Sequence, residues 1–305
     1  MATPVLDGTG LRGELRHDEP MARHTFWRVG GPVDRWYRPA DAEDLGRFLA
    51  QLPPGEPLFW LGLGSNLLVR DGGLRGTVVV LGRGLDHLAV LEGHRVRVGA
   101  GISCARLARQ CAGQGLTGLE FLAGIPGTLG GALAMNAGSW GDETWSHVDS
   151  VVCMDRRGGL HRHVRAEFSV GYRHVEGPLE AGFLEAVLQL MPGDAGASRR
   201  RIRDLLERRN RTQPVGVPTC GSVFRNPEGD HAGRLIDTAG LKGMAIGGAR
   251  VSERHANFIV NTGGARAVDV EALMGRIRQR VFECHGVELQ PEVRIVGEPA
   301  GEVNP

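Results

Sequence analysis

Short apolar runs separated by glycine turns fill the chain from about Val29 to Leu190. Several of these runs, such as HRVRVGAG and VDSVVCM, alternate apolar and polar residues with a period of two, which is typical of half-buried β-strands. The stretch CARLARQCAG instead has helical spacing, begins after a favourable N-cap residue at Ser103, and ends at a glycine. The mixture predicts an α+β fold for this part of the chain.

The remainder of the chain predicts a second, smaller α+β unit. A helix is expected near residues 231–239, a strand in ANFIVN, and a terminal strand in PEVRIVG. Between the last two lies a long helix that ends at Gly286, and its apolar residues recur at i, i+3, i+4 and i+7: Val270, Leu273, Met274, Ile277, Val281 and Phe282. We therefore predict an N-terminal segment at residues 1–28, a first domain at 29–192 and a second domain at 193–305.

An arginine-rich segment joins the two predicted domains. Seven arginines lie between positions 199 and 211, and such a cluster could bind phosphate or nucleic acid. Because Ile202, Leu205 and Leu206 follow helical spacing with acidic residues between them, a solvated helix is the favoured interpretation.

Charge and cysteine content exclude several classes of partner. The chain has 36 basic and 35 acidic residues, so no net field would steer it to nucleic acid or to an anionic membrane. Lys242 is the single lysine, five cysteines form no C-x-x-C pair, and the histidines lack metal-binding spacing, so no metal is expected. The N-terminus has no signal-peptide pattern and no apolar run approaches the ~18 residues of a membrane span, which predicts a cytoplasmic protein.

Two glycine-rich loops are the candidate ligand-binding features. LGLGSNLLV at 61–69 follows an apolar run, and GIPGTLGGALAMNAG at 124–138 has four glycines in its first eight residues. Each loop could be only a structural turn, but such loops can also direct backbone N–H groups at a pyrophosphate. Neither a P-loop nor a Rossmann fingerprint is present. Two such loops in one domain predict a bound dinucleotide, with further donors at Ser65, Asn66, Thr128, Asn136 and Ser139.

The stretch TCGSVFRNP places a thiol and a hydroxyl on either side of Gly221. Cys220 is the stronger acid, but nothing nearby in sequence activates it except His231 as a loose candidate, so we interpret it as a packing residue. Ser222 can be presented on an uncrowded turn by the adjacent glycine. A hydrolase is disfavoured because the G-x-S-x-G elbow is absent.

Taken together, the motifs resemble a known family. GLGSNLLV with AGIPGTLGGALAMNAG resembles the FAD-binding domain of the p-cresol methylhydroxylase and vanillyl-alcohol oxidase (PCMH/VAO) class. With GYR, GSVFRNP, AGLKG, ARVSERHANFIVN and PEVR added, the chain resembles the UDP-N-acetylenolpyruvoylglucosamine reductase family from about Thr25 to Val296. The resemblance implies an α+β protein with a PCMH/VAO-type FAD-binding domain followed by a smaller substrate-binding domain, and it implies NADPH as hydride donor and a UDP-sugar as substrate in peptidoglycan precursor synthesis.

The resemblance also implies roles for individual residues. Ser222 corresponds to the proton donor, and Arg173 and Glu292 correspond to the groups that stabilise negative charge on the substrate. Judged without the resemblance, Arg173 and Glu292 would be an ordinary surface arginine and strand-end glutamate. FAD should be bound non-covalently, since neither loop contains a histidine, and the residues expected to hold it are Gly62, Gly64, Ser65, Asn66, Leu67, Gly124, Ile125, Pro126, Gly127, Thr128, Gly130, Gly131, Asn136 and Gly138.

Tyr172, Arg225, Asn226 and Lys242 are the expected substrate-binding residues, with arginine suited to bidentate recognition of an anion. Some members of the family have lysine at position 225, and His255 could be either structural or a substrate contact. Only 48 residues separate Arg173 from Ser222, so the chain resembles the shorter type, which lacks an inserted capping segment. A flavin oxidase on the same fold and a non-catalytic nucleotide-binding module remain the alternatives, and the oligomeric state is open.

Overall fold

The structure is a computed structural model that describes residues 10–178 and 182–301. In this described part the α-helices are α1 (Ala42–Gln51), α2 (Cys104–Gly113), α3 (Leu129–Ala134), α4 (Ala195–Thr212), α5 (Ala232–Thr238) and α6 (Ala267–His285). The strands are β1 (Glu14–Pro20), β2 (Pro32–Arg38), β3 (Leu58–Leu61), β4 (Leu67–Val69), β5 (Leu74–Val80), β6 (Leu88–Leu91), β7 (Arg95–Gly99), β8 (Leu116–Thr117), β9 (Gly138–Ser139), β10 (Asp142–Glu143), β11 (Val148–Met154), β12 (Leu160–Val164), β13 (Ser169–Gly171), β14 (His174–Glu176), β15 (Gly182–Gln189), β16 (Met191–Pro192), β17 (Ala245–Ile246), β18 (Ala249–Val251), β19 (Ile259–Asn261) and β20 (Arg294–Val296).

The chain divides into two compact units that are discontinuous in sequence. Unit 1 contains the described residues up to Arg16 together with those of Arg35–Gly62 and Gly76–Arg208. Unit 2 contains His17–Asp34, Leu63–Arg75 and the described residues from Arg209 onwards. The division into a segment at 1–28 and domains at 29–192 and 193–305, which follows the order of the sequence, stays a prediction, whereas these units are defined by packing.

Unit 1 is built on a five-stranded antiparallel sheet with the order β12-β11-β15-β7-β6. A four-stranded sheet has the order β1-β2-β5-β3, in which β3 and β5 are parallel. Helix α2 is the predicted capped helix, because the Ser103 hydroxyl accepts a hydrogen bond from the Arg106 N–H at 3.3 Å. Its apolar face packs into the core of the unit with Leu107 and Cys111.

Unit 2 contains the antiparallel sheet β17-β18-β19, the parallel pair β4 and β20, and helices α5 and α6. The long helix ends where the sequence predicts, because Gly286 takes a left-handed φ of 67° and its N–H donates to the Phe282 carbonyl at 2.8 Å. Five of the six predicted apolar positions are buried, but Phe282 is 59% exposed. The helix is therefore as predicted, and Phe282 lies outside its buried face because it is about 100° around the helix from the buried Val281.

Helix α4 is the predicted arginine-rich helix. Only Ser198 and Ile202 are buried in it, and most of its arginines are exposed. This agrees with the solvated-helix interpretation. No helix in the described ranges is both long and apolar enough to cross a membrane.

Candidate active site

The first glycine loop begins where strand β3 ends, at Leu61. Its residue Gly62, which belongs to unit 1, lies close to Thr128 of the second glycine loop. A Cβ added at Gly62 would lie 2.5 Å from Oγ1 of Thr128, a distance that real Cβ atoms do not reach. A side chain at position 62 would therefore force Thr128 to shift, and glycine permits the close approach. The two loops that the sequence singles out separately are neighbours at this point.

The second glycine loop is fixed by backbone hydrogen bonds within unit 1. Cys104 N–H donates to the Gly127 carbonyl at 2.9 Å, and Leu129 N–H and Gly130 N–H donate to the carbonyls of Ile102 and Ala100 at 2.9 and 2.8 Å. This pairing holds residues 127–130 along the turn that precedes α2. The conformation of residues 127–130 is therefore held by the protein's own backbone.

Two of the predicted cofactor-binding side chains shape the second loop itself. Oγ1 of Thr128 accepts a hydrogen bond from the Gly131 N–H at 3.3 Å at the start of α3. Asn136 is buried, and its amide accepts from the Trp145 N–H at 3.1 Å and donates to the Gly171 carbonyl at 3.1 Å. Direct contact of these side chains with a cofactor stays a prediction.

Arg173 lies at the end of the second glycine loop. Tyr172 and Arg173 are the two turn residues of the hairpin formed by β13 and β14, and Arg173 has a left-handed φ of 53°. Its guanidinium donates to the Gly138 carbonyl at 3.1 Å and to the Asn136 carbonyl at 3.4 Å. The Cζ atom of Arg173 lies 5.1 Å from the centroid of the Tyr172 ring. Within unit 1, the predicted catalytic arginine is thus held against the predicted FAD loop.

The part of the first loop that belongs to unit 2 presents free amide groups. The Gly64 carbonyl accepts from the Phe26 N–H at 3.0 Å, which holds the loop in place. The N–H groups of Gly64 and Ser65 donate to no residue within 10–178 and 182–301. Successive unpaired amides at a glycine with positive φ, here 65° at Gly64, form an anion-binding nest. This donor set fits a diphosphate, so the residues present fit FAD.

Ser222 and Glu292 lie on neighbouring backbone segments of unit 2. Gly221, just before the serine, has a φ of 73°, which favours glycine. The Glu292 N–H donates to the carbonyl of Val223 at 2.8 Å. Ser222 itself is half-buried. The two predicted catalytic residues that belong to unit 2 are therefore brought together by the fold, although they lie 70 positions apart in the sequence.

Asn66 connects the first glycine loop to the Glu292 segment. Its side-chain amide donates to the Glu292 carbonyl at 3.2 Å, and its own carbonyl accepts from the Arg294 N–H at 3.1 Å. Strands β4 and β20 continue this contact in parallel, with Leu67 opposite Arg294. A predicted cofactor residue and two predicted catalytic residues thus share one backbone framework.

Cys220 has surroundings unlike those of Ser222. The thiol is buried, with Sγ 3.5 Å from the Leu67 carbonyl oxygen and 3.7 Å from that of Gly64. Burial raises the pKa of Cys220 to about 12. The thiol is therefore protonated at neutral pH, as its interpretation as a packing residue requires.

Two of the three predicted substrate-binding residues of unit 2 already have partners within the protein. Arg225 is exposed, whereas Oδ1 of Asn226 accepts from the Ala232 N–H at 3.1 Å at the start of α5. Nζ of Lys242 lies 2.7 Å from Oδ2 of Asp237. Their contact with a substrate stays a prediction.

His255 is half-buried against Phe258, with 4.7 Å between ring centroids. Its Nδ1 accepts a hydrogen bond from the Asn257 N–H at 3.3 Å. Burial, followed by the positive charge of Lys242, lowers the pKa of His255. These contacts favour the structural interpretation of this histidine. Asn257 is not among the predicted site residues, and the only signal for it in the sequence is the motif ANFIVN.

Two family models match the chain. An FAD binding domain matches residues 33–163, and the C-terminal domain of UDP-N-acetylenolpyruvoylglucosamine reductase matches residues 213–296. A UDP-N-acetylenolpyruvoylglucosamine reductase from Alkalilimnicola ehrlichii is 63% identical over 286 residues, which cover 94% of this chain and 96% of that relative. The chain belongs to the UDP-N-acetylenolpyruvoylglucosamine reductase family.

Further relatives agree with this membership. A UDP-N-acetylenolpyruvoylglucosamine reductase from Methylococcus capsulatus is 57% identical, covering 94% of each chain. The crystal structure of the UDP-N-acetylenolpyruvylglucosamine reductase from Thermus caldophilus superimposes with a TM-score of 0.81 at 33% identity, covering 93% of this chain and 99% of that one. The predicted α+β fold and the family resemblance are confirmed. As a member of this family, the protein is an FAD-dependent oxidoreductase.

Proposed function

We propose that this protein reduces UDP-N-acetylglucosamine enolpyruvate to UDP-N-acetylmuramate, with NADPH as the hydride donor and FAD as the carrier. The relatives that share 57–63% of its residues carry the reductase name, and the product is a peptidoglycan precursor. The reaction adds one hydride and one proton across the enolpyruvyl double bond. The observation that carries the proposal is the backbone framework joining Ser222, Glu292 and Asn66 in unit 2.

The residues that would hold FAD are those of the two glycine loops. The free amides of Gly64 and Ser65 would bind its diphosphate, while Gly62 and Thr128 keep the two loops in close approach. When bound, the flavin would supply the means of passing hydride from NADPH to the methylene carbon of the substrate. No histidine lies in either loop, so we propose non-covalent binding.

Ser222 would protonate the substrate. Hydride addition at the methylene carbon leaves negative charge on the neighbouring carbon, which becomes a strong base, and a serine hydroxyl is acidic enough to protonate it. Ser222 then recovers its proton from solvent. The half-buried position of this side chain, compared with the buried thiol of Cys220, supports the serine as the group that meets a substrate.

Arg173 and Glu292 would act on the charge that develops before protonation. The Arg173 guanidinium is held by the Asn136 and Gly138 carbonyls, so its positive charge is oriented before substrate binds. A group preorganised in this way stabilises an enolate without having to rearrange during the reaction. We assign Glu292 to the same electrostatic set, because its backbone is hydrogen-bonded to the residue that follows Ser222.

We assign substrate binding to Tyr172, Arg225, Asn226 and Lys242. Arg225 is exposed and can recognise a diphosphate or carboxylate in bidentate fashion. Lys242 would have to exchange its ion pair with Asp237 for one with the substrate. We also propose a cytoplasmic location, which the five free cysteines support, since disulfides are rare in reducing compartments.

Flavin absorbance during turnover tests the proposal. We expect purified protein to be yellow, to be bleached by NADPH, and to be reoxidised rapidly by UDP-N-acetylglucosamine enolpyruvate under anaerobic conditions. Rapid reoxidation by oxygen, with no response to the enolpyruvyl substrate, would instead identify a flavin oxidase on the same fold. A protein that takes up no FAD on reconstitution would contradict both functions.

A further inference from the structure

Asn257 is a buried residue, 3% exposed, that forms hydrogen bonds with the backbone just after Ser222. Its side-chain Oδ1 accepts from the Phe224 N–H at 3.0 Å, and its Nδ2 donates to the Phe224 carbonyl at 2.8 Å. Its own backbone carbonyl accepts from the Val223 N–H at 2.9 Å. All three hydrogen bonds go to the two residues that follow the proposed proton donor.

The opposite side of the same backbone faces Glu292. The Val223 carbonyl accepts from the Glu292 N–H at 2.8 Å, and Phe224 forms an isolated bridge with Pro291. Residues 223 and 224 are therefore held between Asn257 on one side and the Glu292 segment on the other. Changes in the Asn257 contacts would shift Ser222 relative to Glu292.

The residue immediately before Ser222 provides less restraint. A Cβ added at Gly221 would meet no atom within 4 Å, so no packing around that position restricts this residue, and glycine has the largest backbone freedom of any residue. The Ser222 hydroxyl is therefore tied to the buried Cys220 only through this glycine, and is positioned more directly by the residues after it. Asn257 is the side chain that holds those residues.

We propose that Asn257 is a positioning residue for the proton transfer, and that its paired donor and acceptor set the Ser222 hydroxyl relative to Glu292. The inference rests on the function proposed above for Ser222. A misplacement of about 1 Å in an active site can lower a rate by about 10²-fold. The effect should be confined to the step that uses the serine, because the hydrogen bonds of Asn257 go to Val223, Phe224 and His255 and not to the glycine loops.

The substitution Asn257→Asp separates this role from a general structural one. An ionised aspartate can accept from the Phe224 N–H but cannot donate to the Phe224 carbonyl, whereas a protonated carboxyl group can do both. Burial among neutral groups raises the pKa of a carboxyl group, so lowering the pH should restore the paired contact. The titratable group that contacts Asn257 is His255, on which Lys242 and Asp237 act in turn. The rate of reoxidation of the parent protein is therefore measured at every pH, and the rate of the variant is given as a ratio to the parental rate.

The matched control is Asn261→Asp. Asn261, four residues later, is also an asparagine with both amide atoms engaged, since it donates to the Trp27 carbonyl at 2.8 Å and accepts from the Gly263 N–H at 2.9 Å. None of these contacts involves residues 222–224. The control carries the same chemical change in the same segment of unit 2.

Stopped-flow absorbance of the FAD-loaded proteins measures the two half-reactions. We expect Asn257→Asp to be bleached by NADPH at the parental rate, and to be reoxidised by the enolpyruvyl substrate about 10²-fold more slowly at roughly pH 8. The deficit should shrink towards roughly pH 6 as the introduced carboxyl group is protonated. Asn261→Asp should show no difference between the half-reactions. Amide hydrogen exchange of the holoenzyme should show faster exchange at Val223 and Phe224 in Asn257→Asp alone.

Parental reoxidation at every pH, or an equal loss of both half-reactions that low pH does not restore, would overturn the inference. Failure of the proposed function is a separate result, because the parent itself would then not be reoxidised by the substrate. In that case the exchange measurement still decides whether Asn257 holds residues 223 and 224, and unchanged exchange there would overturn the inference as well.

Discussion

Cys220 and Ser222 are separated by a single glycine, yet their side chains lie in different environments. The thiol is 3% exposed and faces backbone carbonyls, whereas the serine is half-buried. Gly221 between them has a positive φ, a backbone conformation that residues with a side chain rarely adopt. At the residue scale, backbone conformation therefore decides which of the two can meet a substrate.

Replacing Ser222 with alanine should separate the two half-reactions. We expect Ser222→Ala to bind FAD and to be bleached by NADPH at the parental rate, because that step needs no proton from the protein. Reoxidation by the enolpyruvyl substrate should fall by at least about 10²-fold, in the range expected for loss of a proton donor. Stopped-flow flavin absorbance measures both steps, and Cys220→Ala, which should keep both rates, is the control. The reverse pattern would identify the thiol as the acid.

The thiols should differ sharply in reactivity. Burial raises the pKa of Cys104, Cys111, Cys153 and Cys220 to about 12, whereas Cys284 is exposed. Since only the thiolate reacts, a raised pKa keeps these four thiols protonated and inert at pH 8. An aromatic disulfide reagent should modify about one thiol per chain in the native protein. Unfolding in guanidinium should make all five available, and Cys284→Ser should abolish the native reaction.

Replacing Arg173 with lysine should weaken the step in which charge develops on the substrate. Lysine keeps the positive charge, but its single ammonium cannot reproduce the forked contact with the Asn136 and Gly138 carbonyls. We expect the rate of reoxidation by substrate to fall about 10²-fold to 10³-fold, with FAD still bound. Arg200→Lys, on the exposed side of α4, is the matched control and should be neutral. Normal turnover of Arg173→Lys would contradict the assigned role.

At the scale of the element, helix α6 contains Gly275 and is capped by Gly286, and these two glycines should respond to alanine in opposite directions. Gly275 lies in the helix interior, where an added Cβ would meet nothing within 4 Å. Gly286 has a φ of 67° at the C-terminal end. We expect Gly275→Ala to raise the free energy of unfolding by about 0.5–1 kcal/mol, through the better helix propensity of alanine. Gly286→Ala should lower it by about 1 kcal/mol or more, because alanine is strained in the left-handed region. Urea unfolding of both variants checks the signs, and changes of the same sign would contradict the prediction.

At the scale of the whole molecule, the cofactor should be held by non-covalent contacts alone. The loops supply backbone donors such as Gly64 and Ser65, and neither contains a histidine to form a covalent bond. Acid precipitation of the holoprotein should therefore leave the yellow colour in the supernatant. Colour that remains in the protein pellet after washing would show a covalent flavin and contradict the prediction.

Much of the fold could be predicted from the sequence, particularly at element boundaries. Ser103 and Gly286 mark the start of α2 and the end of α6, because capping depends on the φ and ψ angles and N–H groups of adjacent residues. The exposure of Phe282 could not be read from the pattern. Its place in the periodicity permitted burial, and only the packing of α6 determined which edge of the apolar face was covered.

The sequence by itself determined the local geometry and the family of this protein. Glycine loops, helix caps and motifs are short-range features, so they can be read from neighbouring residues without any fold. Only the tertiary structure decided that residues 63–75 pack with the C-terminal residues in unit 2. It also decided that Asn66, Asn257 and Glu292 share one backbone framework around Ser222. The physical reason is that hydrogen bonds between distant segments depend on the three-dimensional path of the chain, for which no local pattern in the sequence carries a signal.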